Sequence, residues 1–259
     1  MTARLSPLYL RVQLLNEVQY RANFLLRLVH SLLALGTALV TLALVFGQVD
    51  RLNGWDAHQL LVLMGVYTAV NGFAQMLVLP NALALLSDIE EGTLDLVLLK
   101  PVDAQLVVSL RATQVWQGLD ILTGAGTIVT GLVLSGGVRP LALLGFLVAL
   151  GCGGALVYSF LMSVTISAFW FVKLDNVGEL FSGVFQAARW PVGIYPGWLR
   201  VVLSFLVPVG FAVTVPAEVL TSRPAGTDLI VMILLSAAAL AATRVLWQRG
   251  LRRYSGASA

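Results

Sequence analysis

Long apolar runs alternate with short polar breaks along this 259-residue chain. A helix needs about 20 predominantly apolar residues to cross a hydrocarbon core. Runs of that order occur at 24–46, 60–79, 107–134, 141–171 and 229–247. The first is uncharged after Arg27. The second carries Asn71, Gly72 and Gln75 on one side and is closed by Pro80-Asn81. The third has Arg111 at its interfacial end. The fourth is rich in small residues (Gly145, Gly151, Gly153, Gly154, Ser159), which let neighbouring backbones approach, and ends on the anchor Phe169-Trp170-Phe171. Ahead of them, Leu5, Leu8, Val12, Leu15 and Val18 fall near a 3.6 period while Arg4, Arg11, Glu17 and Arg21 take the other faces. Residues 1–23 therefore read as an amphipathic helix in the headgroup plane.

Between Lys173 and Leu220 two candidates compete for the fifth span. Residues 177–194 carry Glu179, Gln186 and Arg189; residues 198–220 are more apolar but broken by Pro208, Gly210 and Pro216, with Glu218 near the end. Broken apolar segments persist only where protein or a water-filled cavity satisfies the freed backbone. On that ground 177–194 is taken as the span and 198–220 as a re-entrant helical hairpin. The alternative makes the first a surface helix and the second the span. Either way the fold class is an all-α membrane protein with six transmembrane helices.

One polar-bearing stretch separates the second and third runs: SDIEEGTLDLVLLKPVDAQLVVSLR, Ser87–Arg111. Asp88, Glu90, Glu91 and Asp95 crowd its first half, and Gly92 and Pro101 punctuate it. Thr93–Leu99 is long enough for about two helical turns, with Leu94, Val97 and Leu98 making one apolar stripe. A short amphipathic helix at the membrane surface and a solvated loop are both compatible with this pattern.

Composition fixes the class. Apolar residues make up 58% of the chain and charged residues 11%, and the mean hydropathy is +0.89; soluble domains are nearer one quarter charged. Of sixteen basic residues, eleven fall on the side of the termini, the Ser87–Arg111 stretch and the Lys173 turn. The positive-inside rule makes that side cytoplasmic. Cys152 is the single cysteine, so no intramolecular disulfide can form, and the N-terminus reads without a cleaved signal peptide.

Catalytic signatures are missing. No Gly-Lys pair occurs, which excludes a phosphate-binding loop. His30 and His58 belong to opposite membrane faces, and no G-x-S-x-G setting is present. Asp120 stands out among intramembrane polar residues, about 13 Å beyond Arg111 on a regular helix. It reads either as a polar contact to Gln75, Asn71 or Arg189, or as an ion-coupling group.

Three stretches resemble the ABC-2 type exporter permeases of the ATP-binding-cassette superfamily: IEEGTLDLVLLKPVDAQLVVSLR (Ile89–Arg111), FWFVKLDNVGELFSGVFQAARWPVGIYPGWLR (Phe169–Arg200) and FLVPVGFAVTVPAEVL (Phe205–Leu220). YRANFLLRLVHSLL (Tyr20–Leu33) fits too. The resemblance is to the branch of six-span permeases paired with a second permease and a separate ATPase. It implies that residues 87–106 form a cytoplasmic coupling segment in which Asp88, Glu90, Glu91, Gly92, Thr93, Leu94, Asp95 and Lys100 engage the ATPase. It further implies two ATPase subunits that bind ATP and Mg, a second permease, identical or related, and no cofactor or nucleic acid on this chain. The leader helix would touch the ATPase as well. Asn71, Gln75, Asp120, Gln186 and Arg189 would belong to the substrate path or its polar surroundings, and the hairpin with Pro208, Pro216 and Glu218 would shape the outer exit. The expected location is a prokaryotic plasma membrane with both termini cytoplasmic. Two other readings stay open: an ion-coupled secondary transporter using Asp120, and a membrane scaffold that anchors an ATPase.

Overall fold

The computed structural model describes residues 21–137, 139–170, 177–223 and 226–254. The leader helix expected at 1–23 and the Lys173 turn lie almost wholly outside them. Helix α1 covers Arg21–Phe46. It is followed by a tight turn at Leu52–Trp55, where Asn53 and Gly54 take positive φ and Leu52 and Trp55 exchange backbone hydrogen bonds. Asn-Gly is the pair such a turn favours. Asp56 then caps α2, Ala57–Phe73, in a reciprocal box with Gln59.

Where the sequence pattern ends this helix at Pro80, the structure carries it on. A π-helical turn at Ala74–Val78 joins α2 to α3, Leu79–Glu91, so one apolar rod runs from Ala57 to Glu91. Pro80 has no N–H to give the carbonyl of Met76, four residues back. The backbone N–H of Gln114 donates to that carbonyl instead, at 2.8 Å. A proline break is tolerated in a span when a neighbour meets the freed group.

The same contact corrects the third span. The sequence reads as one helix from Val107, but α5, Ala104–Leu110, stops short, and α6, Gly118–Leu134, begins after a one-turn 3-10 segment at Val115–Gln117. Between them Asn81 clamps Ala112: its Nδ2 donates to Ala112 O at 2.7 Å and its Oδ1 accepts from Ala112 N at 2.8 Å. The segment contains neither Gly nor Pro, and so carries no local breaker. The short helix α4, Asp95–Leu98, is one turn long rather than two.

Helix α7 covers Pro140–Ile166, α8 Val177–Ala187, α9 Gly197–Val201, α10 Val209–Leu220 and α11 Gly226–Leu251. Among the described residues five helices are long and apolar enough to cross a membrane. A sixth is reached if α9, its π turn at Val202–Leu206 and α10, bent by 92°, count as one. Helix α8, at eleven residues, is about 16 Å long. Helices α2 and α6 run antiparallel along a seam of small residues. A Cβ on Gly65 would stand 2.8 Å from Gly124 O, so only glycine permits this approach. On the other flank α7 packs against α10, with Gly153 against Ala212, and against α11, where the Thr243 hydroxyl lies 3.1 Å from that of Ser163.

Candidate functional site

The acidic stretch is built as a rigid corner. Helix α3 ends because Gly92 adopts a left-handed conformation, φ 71°, and its N–H returns to Asp88 O. Thr93 N–H donates to the same carbonyl at 3.0 Å, and its hydroxyl to Asp88 Oδ1 at 3.2 Å. The other Asp88 oxygen is held by Arg111 Nη1 at 2.5 Å. These bonds explain the Glu-Gly-Thr order: a helix end, a reversal that an L side chain resists, and a hydroxyl that closes it.

Below the corner, α4 is pinned. Leu94 is fully buried and Val97 nearly so, packed with Ala82, Leu85, Val108, Met162, Ile166 and Trp247. The third member of the predicted stripe, Leu98, is 37% exposed, because α4 stops after one turn. Facing outward are Leu96 at 68% and Leu99 at 81% exposure, beside exposed Glu90, Glu91 and Lys100. Asp95 is half-buried. One side of the element thus belongs to the core, while the other presents leucines and acids together.

Two contacts that the sequence pattern does not single out tie this corner to the last helix. Asp103 caps α5 and is gripped by both Arg244 amino groups, one at 3.0 Å, while Arg244 also donates to Gln105 Oε1 at 2.8 Å. The hydrogen bond from Arg244 holds the Asp103 carboxyl below its usual value. Tyr254 packs edge-on to Phe169 and sits by Leu94 and Asp95; burial first, and the Asp95 charge second, push its phenol up. Asp103 was detectable as an N-cap candidate before a helical stretch. Its partner was not, because 141 residues separate the two.

Residues 32–258 match the family model described as ABC-2 family transporter protein. The chain belongs to this family. It is therefore an ABC-2 type permease, a multi-pass membrane component of a transport system. No curated protein and no solved structure matches the chain.

Within this permease the remaining polar residues are not gathered into one site. Asp120 lies in the first turn of α6, where the helix dipole favours a carboxylate, and its Oδ1 accepts from Ser31 on α1 at 2.7 Å. The hydroxyl of Ser31, which the sequence pattern does not single out, is thus one partner of Asp120, with Thr123 3.4 Å from that hydroxyl. Asn71 and Gln75 are half-buried, Gln186 is exposed, and Arg189 lies within electrostatic reach of Tyr67. Pro208 caps α10, and Pro216 sits buried inside it.

Helix α10 lies along α7, with Ala212 against Gly153 and Val219 against Gly145. Both approaches to the bent pair meet the loop between α1 and α2. Gly193 comes against Asn53, and Arg223 donates to Gly54 O at 2.7 Å while stacking 4.5 Å over the Trp55 ring. Glu218 lies within electrostatic reach of Asp228 and Arg223.

Proposed function

We propose that this permease is the membrane subunit of an ATP-driven exporter and that the corner at 87–106 is its coupling element. Two copies of a cytoplasmic ATPase hold ATP and Mg. A second permease, identical or related, completes the path, and the assembly resides in a prokaryotic plasma membrane with both termini cytoplasmic. Asp88 and Arg111 brace the corner, and Glu90, Glu91, Thr93, Asp95 and Lys100 surround the face offered to the ATPase.

The single observation behind this reading is the division of the turn Leu94–Leu99, α4 with its two caps. Leu94 and Val97 are buried among the packed helices while Leu96 and Leu99 stand in the open next to Glu90 and Glu91. An element so anchored moves as one body with the helices beneath it, which is what rigid-body gating requires. A groove with apolar floor and basic rim is its complement. The bent pair, entering and leaving against one loop, fits a re-entrant hairpin that shapes the exit. A secondary transporter is less well supported, since Asp120 stands at a helix end, engaged by Ser31.

The test is purification of the permease with its co-expressed ATPase. Glu91→Arg should detach or uncouple the ATPase while membrane insertion is kept. A full-strength, fully active complex from that variant would refute the coupling assignment.

A further inference from the structure

Two helices lead away from the coupling corner along the chain, and both carry a weak point at one level. Helix α3 passes into α2 through the π turn at Ala74–Val78, where Pro80 denies Met76 O its helical bond. Beyond α5 the chain leaves the helix altogether before α6 begins at Gly118. The two sites are joined to each other, by Gln114 N–H on Met76 O and by the Asn81 clamp on Ala112. Prolines, π turns and broken ladders are where helices bend. A push on the corner is therefore taken up as bending on the way to α2 and α6.

Helix α11 has no such weak point. It runs from Gly226 to Leu251 with neither glycine nor proline from Thr227 to Arg249, a straight length of about 39 Å. At its cytoplasmic end it holds the corner twice. Arg244 grips Asp103, beyond α4, and Tyr254 sits at the backbone of Leu94 and Asp95, where α4 begins. Trp247, between them, is buried in one cluster with Leu94 and Val97. The Phe169 ring locks this end: it meets Trp247 and Tyr254 edge-on, centroids 6.1 and 5.9 Å apart, and leaves no room for a Cβ on Gly250. A helix as short as α4 is not stable alone, so what it packs on decides where it stands.

The other end of α11 follows Arg223, which donates to Gly54 O and stacks on the Trp55 ring of the outer loop. One unbroken helix thus joins the corner to the outer turn, and α7 packs along it, with the Ser163 hydroxyl 3.1 Å from that of Thr243. We propose that α11 is the rod that carries movement of the coupling corner to the outer loops, with Arg244 and Tyr254 as the positioning residues that fasten it. This rests on the coupling reading above and adds the route. Packed helices shift as bodies rather than deform, so the element without a bend transmits the stroke.

The test uses the full-length permease with its co-expressed ATPase in lipid nanodiscs, carrying Ser222→Cys in a Cys152→Ser background. Ser222 is exposed in the turn between α10 and α11. Its rate of reaction with a maleimide is measured without nucleotide and after trapping with ATP, Mg and vanadate. Trapping should change that rate several-fold. Tyr254→Ala with Arg244→Gln should abolish the change while ATP hydrolysis persists. Tyr254→Phe should keep it, because the ring stays against Phe169 and the buried hydroxyl has no hydrogen-bond partner among the described residues. A second variant leaves the corner untouched: Ala237→Gly with Ala241→Gly, both exposed on α11, softens the rod and should blunt the change with full recovery of the ATPase. No change in the parent complex, or one that survives either double variant or is lost with Tyr254→Phe, would overturn the proposal. Failure of the coupling reading shows separately, as a full-strength complex from Glu91→Arg.

Discussion

The side-chain amide of Asn81 is hydrogen-bonded both ways to the backbone of Ala112, at 2.7 and 2.8 Å. Through that clamp, and through Gln114 N–H on Met76 O, the rod from Ala57 to Glu91 interrupts the helix that would otherwise run from α5 into α6. Asn81→Leu leaves both backbone groups of Ala112 unmet. Each unsatisfied buried group costs about 1–3 kcal/mol, so a clear drop in thermal stability in detergent is expected. Hydrogen exchange at 111–114 should accelerate. Unchanged exchange there would show that the break holds without the clamp.

Leu94→Ala and Leu99→Ala separate anchor from contact. The first empties a fully buried site and should cost about 2–5 kcal/mol. The second removes an 81%-exposed chain and should leave stability within about 0.5 kcal/mol while reducing recovery of the ATPase. Thermal shift and co-purification read the two effects independently.

The Asp103–Arg244 pair gives an acid dependence whose sign is fixed. Arg244 lowers the Asp103 carboxyl below its ordinary value, so the pair contributes fully above the unfolded-state value of about 4 and is lost as pH falls below it. Both side chains are a third or more exposed, which limits the effect to about 1 kcal/mol. Arg244→Gln should be less stable at pH 7 by that order, and its disadvantage should shrink below about pH 4. Melting curves at the two pH values test this.

Asp120→Asn keeps a hydrogen-bond acceptor for Ser31 and the shape of the helix end. ATP-driven transport by the reconstituted complex should fall by less than about tenfold, the order of one hydrogen bond. Outright loss would favour ion coupling through Asp120.

Sidedness follows from single cysteines in a Cys152→Ser background. A cysteine at Ser135 should react with an impermeant maleimide from outside only, and one at Thr93 from inside only. The reverse pattern would place the acidic corner outside the cell.

Legible in the chain alone were its lipid solvent, its helical class, most of its long apolar runs and an acidic stretch punctuated at Gly92. Hydrophobic length, charge placement and the left-handed preference of Gly92 are local properties, legible from neighbours in the chain. Packing settled where α5 ends, that Pro80 does not stop its helix, that Ser31 reaches Asp120, and that Arg244 holds Asp103. Each of these depends on a backbone or side-chain group many residues away in sequence. A buried polar group takes whichever partner packing brings within 3 Å, and that is settled when helices meet.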